Sequence, residues 1–160
     1  MNAPLRPPGA IAEDRFPATC LRCGKCALAC PYGSIVLGDL FDGLDLMGTP
    51  IIRPRKKPCY LCMKCPPVCP SGALQRTTSR RESVKMGLAA IDHKACLAWQ
   101  ETLCRSCYDD CPIFDRALRM DEQLRPVVDQ ARCVGCGICE NVCPVEPAAI
   151  TVRPGPGVSS

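Results

Sequence analysis

The residues of this 160-residue chain that could do chemistry are its 16 cysteines, and they are not scattered. They fall into four runs of four: Cys20, Cys23, Cys26 and Cys30; Cys59, Cys62, Cys65 and Cys69; Cys96, Cys104, Cys107 and Cys111; Cys133, Cys136, Cys139 and Cys143. Each run ends directly before a proline, at Pro31, Pro70, Pro112 and Pro144. Runs one, two and four read C-x2-C-x2-C-x3-C-P, while run three widens its first gap to seven residues. A disulfide framework would give no reason for that periodicity. A tetrahedral zinc ion takes two C-x2-C pairs from two separate turns, whereas cysteines at i, i+3 and i+6 wrap one loop around something bulkier than an ion.

C-x2-C-x2-C-x3-C-P is the loop of bacterial ferredoxins, in which three thiolates hold one 4Fe-4S cluster and the fourth ligates its neighbour. Four runs therefore predict four 4Fe-4S clusters with all 16 cysteines as metal ligands. Gly24 and Gly137 let the loop turn through unusual dihedrals and aim amides at the sulfurs. Runs two and three lack that glycine, so their clusters are expected to differ in hydrogen bonding. His93 is expected at the surface or as a cap, since the thiolates already complete each set. Trp99, Tyr60, Tyr108 and Phe114 are expected to shield clusters from water. No nucleophile–base pair and no phosphate loop can be read, so no catalytic residue and no further cofactor-binding residue is assigned.

The elements that must hold these loops are short. Leu, Ile, Val and Phe make up about 22% of the chain, a thin supply for a core, and 17 Pro with 12 Gly break up long elements. Apolar stretches follow the runs at 34–37, 72–74, 117–118 and 148–152, and two more, 88–92 and 126–129, lead into runs three and four. Strand, cluster loop, short helix and strand make half of a ferredoxin-like unit. The predicted fold is α+β: two ferredoxin-like units, each binding two 4Fe-4S clusters, loop-rich. No apolar run is long enough to span a membrane.

The third run Cys96-Leu-Ala-Trp-Gln-Glu-Thr-Leu-Cys104, the leader Arg6-Pro7-Pro8-Gly9-Ala10-Ile11 and the segment Met86-Gly87-Leu88-Ala89 resemble the MauM/NapG-type ferredoxins, over roughly residues 5 to 154. The resemblance implies a four-cluster electron carrier that works beside a polytopic iron–sulfur membrane partner and relays quinol electrons toward periplasmic enzymes such as nitrate reductase or methylamine dehydrogenase. Two features depart from the family pattern. The usual twin-arginine export signal does not appear in the sequence, and the second gap of run two is short. The resemblance thus implies a periplasmic location, with the cytoplasm as the alternative.

The expected function is a relay of single electrons between redox partner proteins: a membrane-bound iron–sulfur quinol dehydrogenase and a terminal oxidoreductase. The alternative is an electron-transfer subunit of a larger cytoplasmic complex such as a hydrogenase or formate dehydrogenase. Nucleic acid is not an expected partner, because the basic residues are dispersed and no aromatics interleave them. The formal charge is +4, but 16 thiolates and four cubes of about +2 each bring the loaded protein to about −4. The cluster Arg53, Arg55, Lys56 and Lys57 reads as a solvated face or a dock for an acidic partner. Pairing of the runs has two solutions. Similarity to the inner unit of four-cluster subunits in molybdenum oxidoreductases implies a nested one: an N-terminal arm 1–19, an outer unit from 20–58 plus 126–154, an inner unit 59–125 and a tail 155–160. In series, the units would be 20–85 and 86–154.

Overall fold

The computed structural model describes residues 3–76 and 84–155; the small basic pair Arg80 and Arg81 lies outside them. Elements are as short as the composition requires. Among the described residues four single-turn helices, α1 Phe16–Thr19, α2 Lys25–Leu28, α3 Ser106–Asp109 and α4 Ile138–Asn141, are interspersed with six strands. The strands are β1 Ile35–Leu37, β2 Pro50–Ile52, β3 Gly87–Ile91, β4 Leu118–Met120, β5 Pro126–Val128 and β6 Ile150–Pro154. Helices α2, α3 and α4 each begin inside a cysteine run and carry its third cysteine, Cys26, Cys107 or Cys139. Run two uses a 3-10 turn, Pro66–Val68, because consecutive prolines deny it the amides of an α-turn.

Strand pairing shows how the halves close. The strand after run one, β1, pairs antiparallel with β2, which leads into run two. The strand after run three, β4, pairs with β5, which leads into run four. The outer strands of the second half pair as well: β3 before run three lies against β6 after run four, with Gly87 opposite Pro154 and Ile91 opposite Ile150. In the first half this outer pair shrinks to a bridge between Ala10 and Leu74, fastened by Gln75 N–H to Gly9 O at 2.6 Å and Ile11 N–H to Ala73 O at 3.1 Å.

Every one of these pairs joins run one to run two or run three to run four, so the strands do not adopt the nested arrangement. The physical reason is loop closure. β1 and β2 are joined by a loop of about a dozen residues, and nesting would leave them to find partners almost a chain length away. The loop itself is built for a tight return: Asp39 caps a 3-10 turn at Leu40–Asp42 through a reciprocal capping box.

The core is one cluster shared by both halves. Leu5, Phe16, Ile52, Leu74, Met86, Ala89, Leu118, Val134 and Ile150 are buried in it together with many of the cysteines. The N-terminal arm belongs to it too. Arg6, only 5% exposed, donates to both carboxylate oxygens of Glu13 at 2.6 and 2.8 Å, to Thr49 Oγ1 at 2.8 Å and to the Pro50 carbonyl at 2.9 Å. Its guanidinium also lies 4.3 Å from the ring centroid of Phe16.

Candidate iron–sulfur sites

The loop geometry repeats at the level of single dihedrals. In run one Arg22 and Gly24 have positive φ (51° and 70°); in run two Leu61 and Met63 (55° and 57°); in run four Gly135 and Gly137 (72° and 84°). The left-handed turn expected at Gly24 and Gly137 is present at both. Run two makes it without glycine, at a strain of order 1 kcal/mol for each non-glycine residue so held. Run three departs, with Arg105 at φ −138°; its extra residues form a 3-10 turn at Leu97–Gln100 that ends on Glu101 at φ 59°.

These loops bring the cysteines together in four places. Cys20, Cys23 and Cys26 line one cavity with Cys69, the last cysteine of run two. Cys59 is within electrostatic reach of Cys136, Cys62 and Cys30, the last of run one, and Cys65 of Cys59, Cys62 and Cys26. Cys96, Cys104 and Cys107 share a cavity with Cys143. Cys133, Cys136 and Cys139 share one with Cys111. The crossed partners of the nested reading, Cys20 to Cys26 with Cys143, Cys133 to Cys139 with Cys30, Cys59 to Cys65 with Cys111, and Cys96 to Cys107 with Cys69, are thus not the ones that meet.

The last cysteines of runs one, two and four receive backbone amides. Ser34 N–H lies 3.4 Å from Cys30 Sγ, Leu74 N–H 3.4 Å from Cys69 Sγ and Ala149 N–H 3.3 Å from Cys143 Sγ. Burial alone would raise the Cys30 and Cys69 thiols, but amides from Ser34 and Tyr32, and from Leu74 with the Ser71 hydroxyl, bring both below the ordinary value. The Ser34 hydroxyl is buried with no nitrogen or oxygen partner and favours the ionised form of Cys30. Elsewhere burial wins. It pushes the Cys26 and Cys136 thiols up to about 11 and those of Cys59 and Cys107 up to about 12, with neighbouring thiols adding to the rise; Cys65 and Cys139 are raised further by the same causes.

Thiolates crowded in apolar cavities need a compensating positive charge, and iron supplies it. Among the described residues no three of His, Cys, Asp or Glu converge closely enough to hold a single metal ion. Tetrahedral thiolates on one zinc stand about 3.8 Å apart, and thiolates on the four corners of an iron–sulfur cube stand farther. The donor set, its spacing and the amides aimed at sulfur all fit the cube.

Several residues play parts that spacing could not disclose. Arg55, expected on a solvated basic face, reaches across 85 or more residues to the carbonyls of Glu140 (2.8 Å), Cys143 (2.8 Å) and Val145 (3.0 Å), and to the Glu146 carboxylate (2.5 Å). Arg53 pairs with Asp42 at 2.8 Å and Asp39 at 3.5 Å. His93 stacks on Trp99, ring centroids 3.7 Å apart, while Arg125 covers the same indole at 4.3 Å. Trp99 Nε1–H donates to the Pro126 carbonyl at 3.2 Å, which ties the widened gap of run three to β5.

Short paired strands, cysteine loops and four thiol-lined sites define a ferredoxin-type iron–sulfur protein. Comparison with known proteins places it more closely. The 4Fe-4S dicluster domain family matches residues 19–73 and, a second time, 102–146. The ferredoxin-type protein NapG of Escherichia coli (strain K12) is 42% identical over 163 residues, covering 94% of this chain and 70% of the relative. The methylamine utilization ferredoxin-type protein MauM of Paracoccus denitrificans is 40% identical over 169 residues, covering 96% and 75%. NapG of Haemophilus influenzae is 39% identical over 167 residues, covering 96% and 60%. The chain belongs to the family of NapG and MauM ferredoxin-type proteins, an electron-transfer protein with four 4Fe-4S clusters.

Proposed function

We propose that the chain relays single electrons between a quinol-oxidising membrane partner and a terminal oxidoreductase, and that all 16 cysteines ligate iron. The observation that carries this is the grouping of three cysteines from one run with the last of its neighbour in three cavities, with Cys30 within electrostatic reach of Cys59 completing the fourth set. The ligand sets are Cys20, Cys23, Cys26 with Cys69; Cys59, Cys62, Cys65 with Cys30; Cys96, Cys104, Cys107 with Cys143; and Cys133, Cys136, Cys139 with Cys111. They divide the chain in series, 20–85 and 86–154. When bound, each cluster takes up and gives back one electron. The residues of the chain fix the sulfurs, keep water from them and hold the thiolates ionised.

Among the described residues no helix is long and apolar enough to cross a membrane. Leu21, Leu28, Leu40 and Phe41 stand exposed, as does Cys23, and offer apolar contacts to a partner. Iron and acid-labile sulfide should approach ~16 of each per chain, and dithionite should bleach the visible absorption reversibly. A value near half of that would remove two of the four sets. Pull-down of the holoprotein with solubilised membranes, followed by quinol-driven bleaching, tests the donor; bleaching that does not need quinol would refute it.

A further inference from the structure

The two halves touch through particular cysteine sets and not through others. Cys59 N–H donates to the Cys136 carbonyl at 2.9 Å, so the first cysteine of run two is bonded directly to the second of run four. The segment leading into Cys59 is locked to α4 from both sides. Arg55 caps the carbonyls at the end of α4, and Asn141 Nδ2 returns hydrogen bonds to Pro54 O at 3.3 Å and Arg55 O at 3.0 Å. Within each half, the elements that carry or follow the third cysteines pack together: α2 with Cys26 against the Pro66–Val68 turn that follows Cys65, and α3 with Cys107 against α4 with Cys139. By contrast the loop of run one leans on its own half, through Arg22 Nε to Met47 O at 2.9 Å, and the loop of run three on its own, through Trp99 to Pro126.

Burial marks one end of the series: Cys23 is exposed with Cys20 and Cys69 partly covered, whereas Cys133, Cys136 and Cys139 of the run-four set are buried. The run-two and run-three sets each combine two buried cysteines, Cys59 with Cys65 and Cys107 with Cys143, with two partly covered ones. We propose that the four sets stand in one file in the order run one, run two, run four, run three, with the Cys59–Cys136 contact as its midpoint and the run-one and run-three sets as its two ends. The order is not that of the sequence. One-electron exchange falls steeply with distance, so a donor and an acceptor meet the chain at opposite ends, around Cys23 and around Cys104; one electron enters, one leaves, and no bond is made or broken.

The inference rests on the ligand sets proposed above, and the test separates the two. Holoprotein carrying its full iron is treated with limiting ferricyanide, a one-electron oxidant that dismantles accessible clusters, and freed thiols are trapped with iodoacetamide and mapped by peptide mass spectrometry. Cys20, Cys23, Cys26 and Cys69, and Cys96, Cys104, Cys107 and Cys143, should be alkylated several-fold faster than the other eight. Early labelling of the run-two or run-four set would overturn the order. If the starting protein cannot be loaded with more than half of the expected iron, it is the four-cluster reading that fails; if cysteines lose protection in foursomes other than those named, it is the ligand sets.

Discussion

Phe16 is fully buried, with the Arg6 guanidinium over its ring and the run-one cavity against its side. Replacing it by alanine removes a large apolar side chain from a site walled by a fixed loop, which has little freedom to collapse. Phe16→Ala should cost about 3–5 kcal/mol, measured by denaturant unfolding of anaerobic holoprotein. Arg6 and Arg55 show where a sequence is silent. Both are charged residues in a chain rich in charge, and their roles depend on partners that sequence spacing does not specify: Thr49 and Pro50 for Arg6, the end of α4 for Arg55. The cysteines could be read because a cluster demands its ligands at fixed short intervals; an arginine clamp makes no such demand. Trp99 lies between His93, six positions before it, and Arg125, 26 positions after it, and that sandwich left no pattern to find.

At the scale of elements, Gly24 and Gly137 occupy equivalent left-handed caps of α2 and α4, yet they should not tolerate alanine equally. A Cβ at Gly24 would meet only Leu37 Cδ1 at 3.7 Å, whereas one at Gly137 would lie 2.5 Å from Pro54 Cβ. Gly24→Ala should therefore cost about 1–2 kcal/mol, the backbone penalty alone. Gly137→Ala should cost clearly more and also lower the iron retained on desalting. Equal losses in parallel unfolding curves would contradict the role of Pro54. Five of the six strands stood where apolar stretches flank the runs. β2 was missed because Pro50-Ile51-Ile52 opens on a proline and shows no alternation. The pairing of runs could not be read from the runs, since near-identical loops carry no mark of their partner; the β1–β2 pair across a short span favours the in-series solution proposed above.

For the molecule as a whole, the thin core predicts dependence on iron. With about 22% strong core formers the chain cannot offset its own entropy unless clusters crosslink it. Removing iron with a chelator under reducing conditions should abolish cooperative thermal unfolding seen by circular dichroism; a persistent sharp transition would contradict this. Acidity should act in the same direction. Burial raises the thiols of Cys26, Cys59, Cys107 and Cys136, so protons compete with iron for them, and acid favours the protonated side. Lowering the pH from about 8 to about 5 should speed loss of the visible absorption, and raising it within that window should slow the loss. The in-series pairing of strands also sets a timetable for biogenesis. By the time Cys69 has left the ribosome, the first half has all eight thiols of both its sites and the β1–β2 pair that frames them. The second half waits for Cys143 and for β6 to close on β3. On the ligand sets proposed above, a nascent chain would thus hold all the thiols of two sites while the rest is still being made, but the core shared by the two halves and the seat of Arg55 on α4 arrive only with the second half.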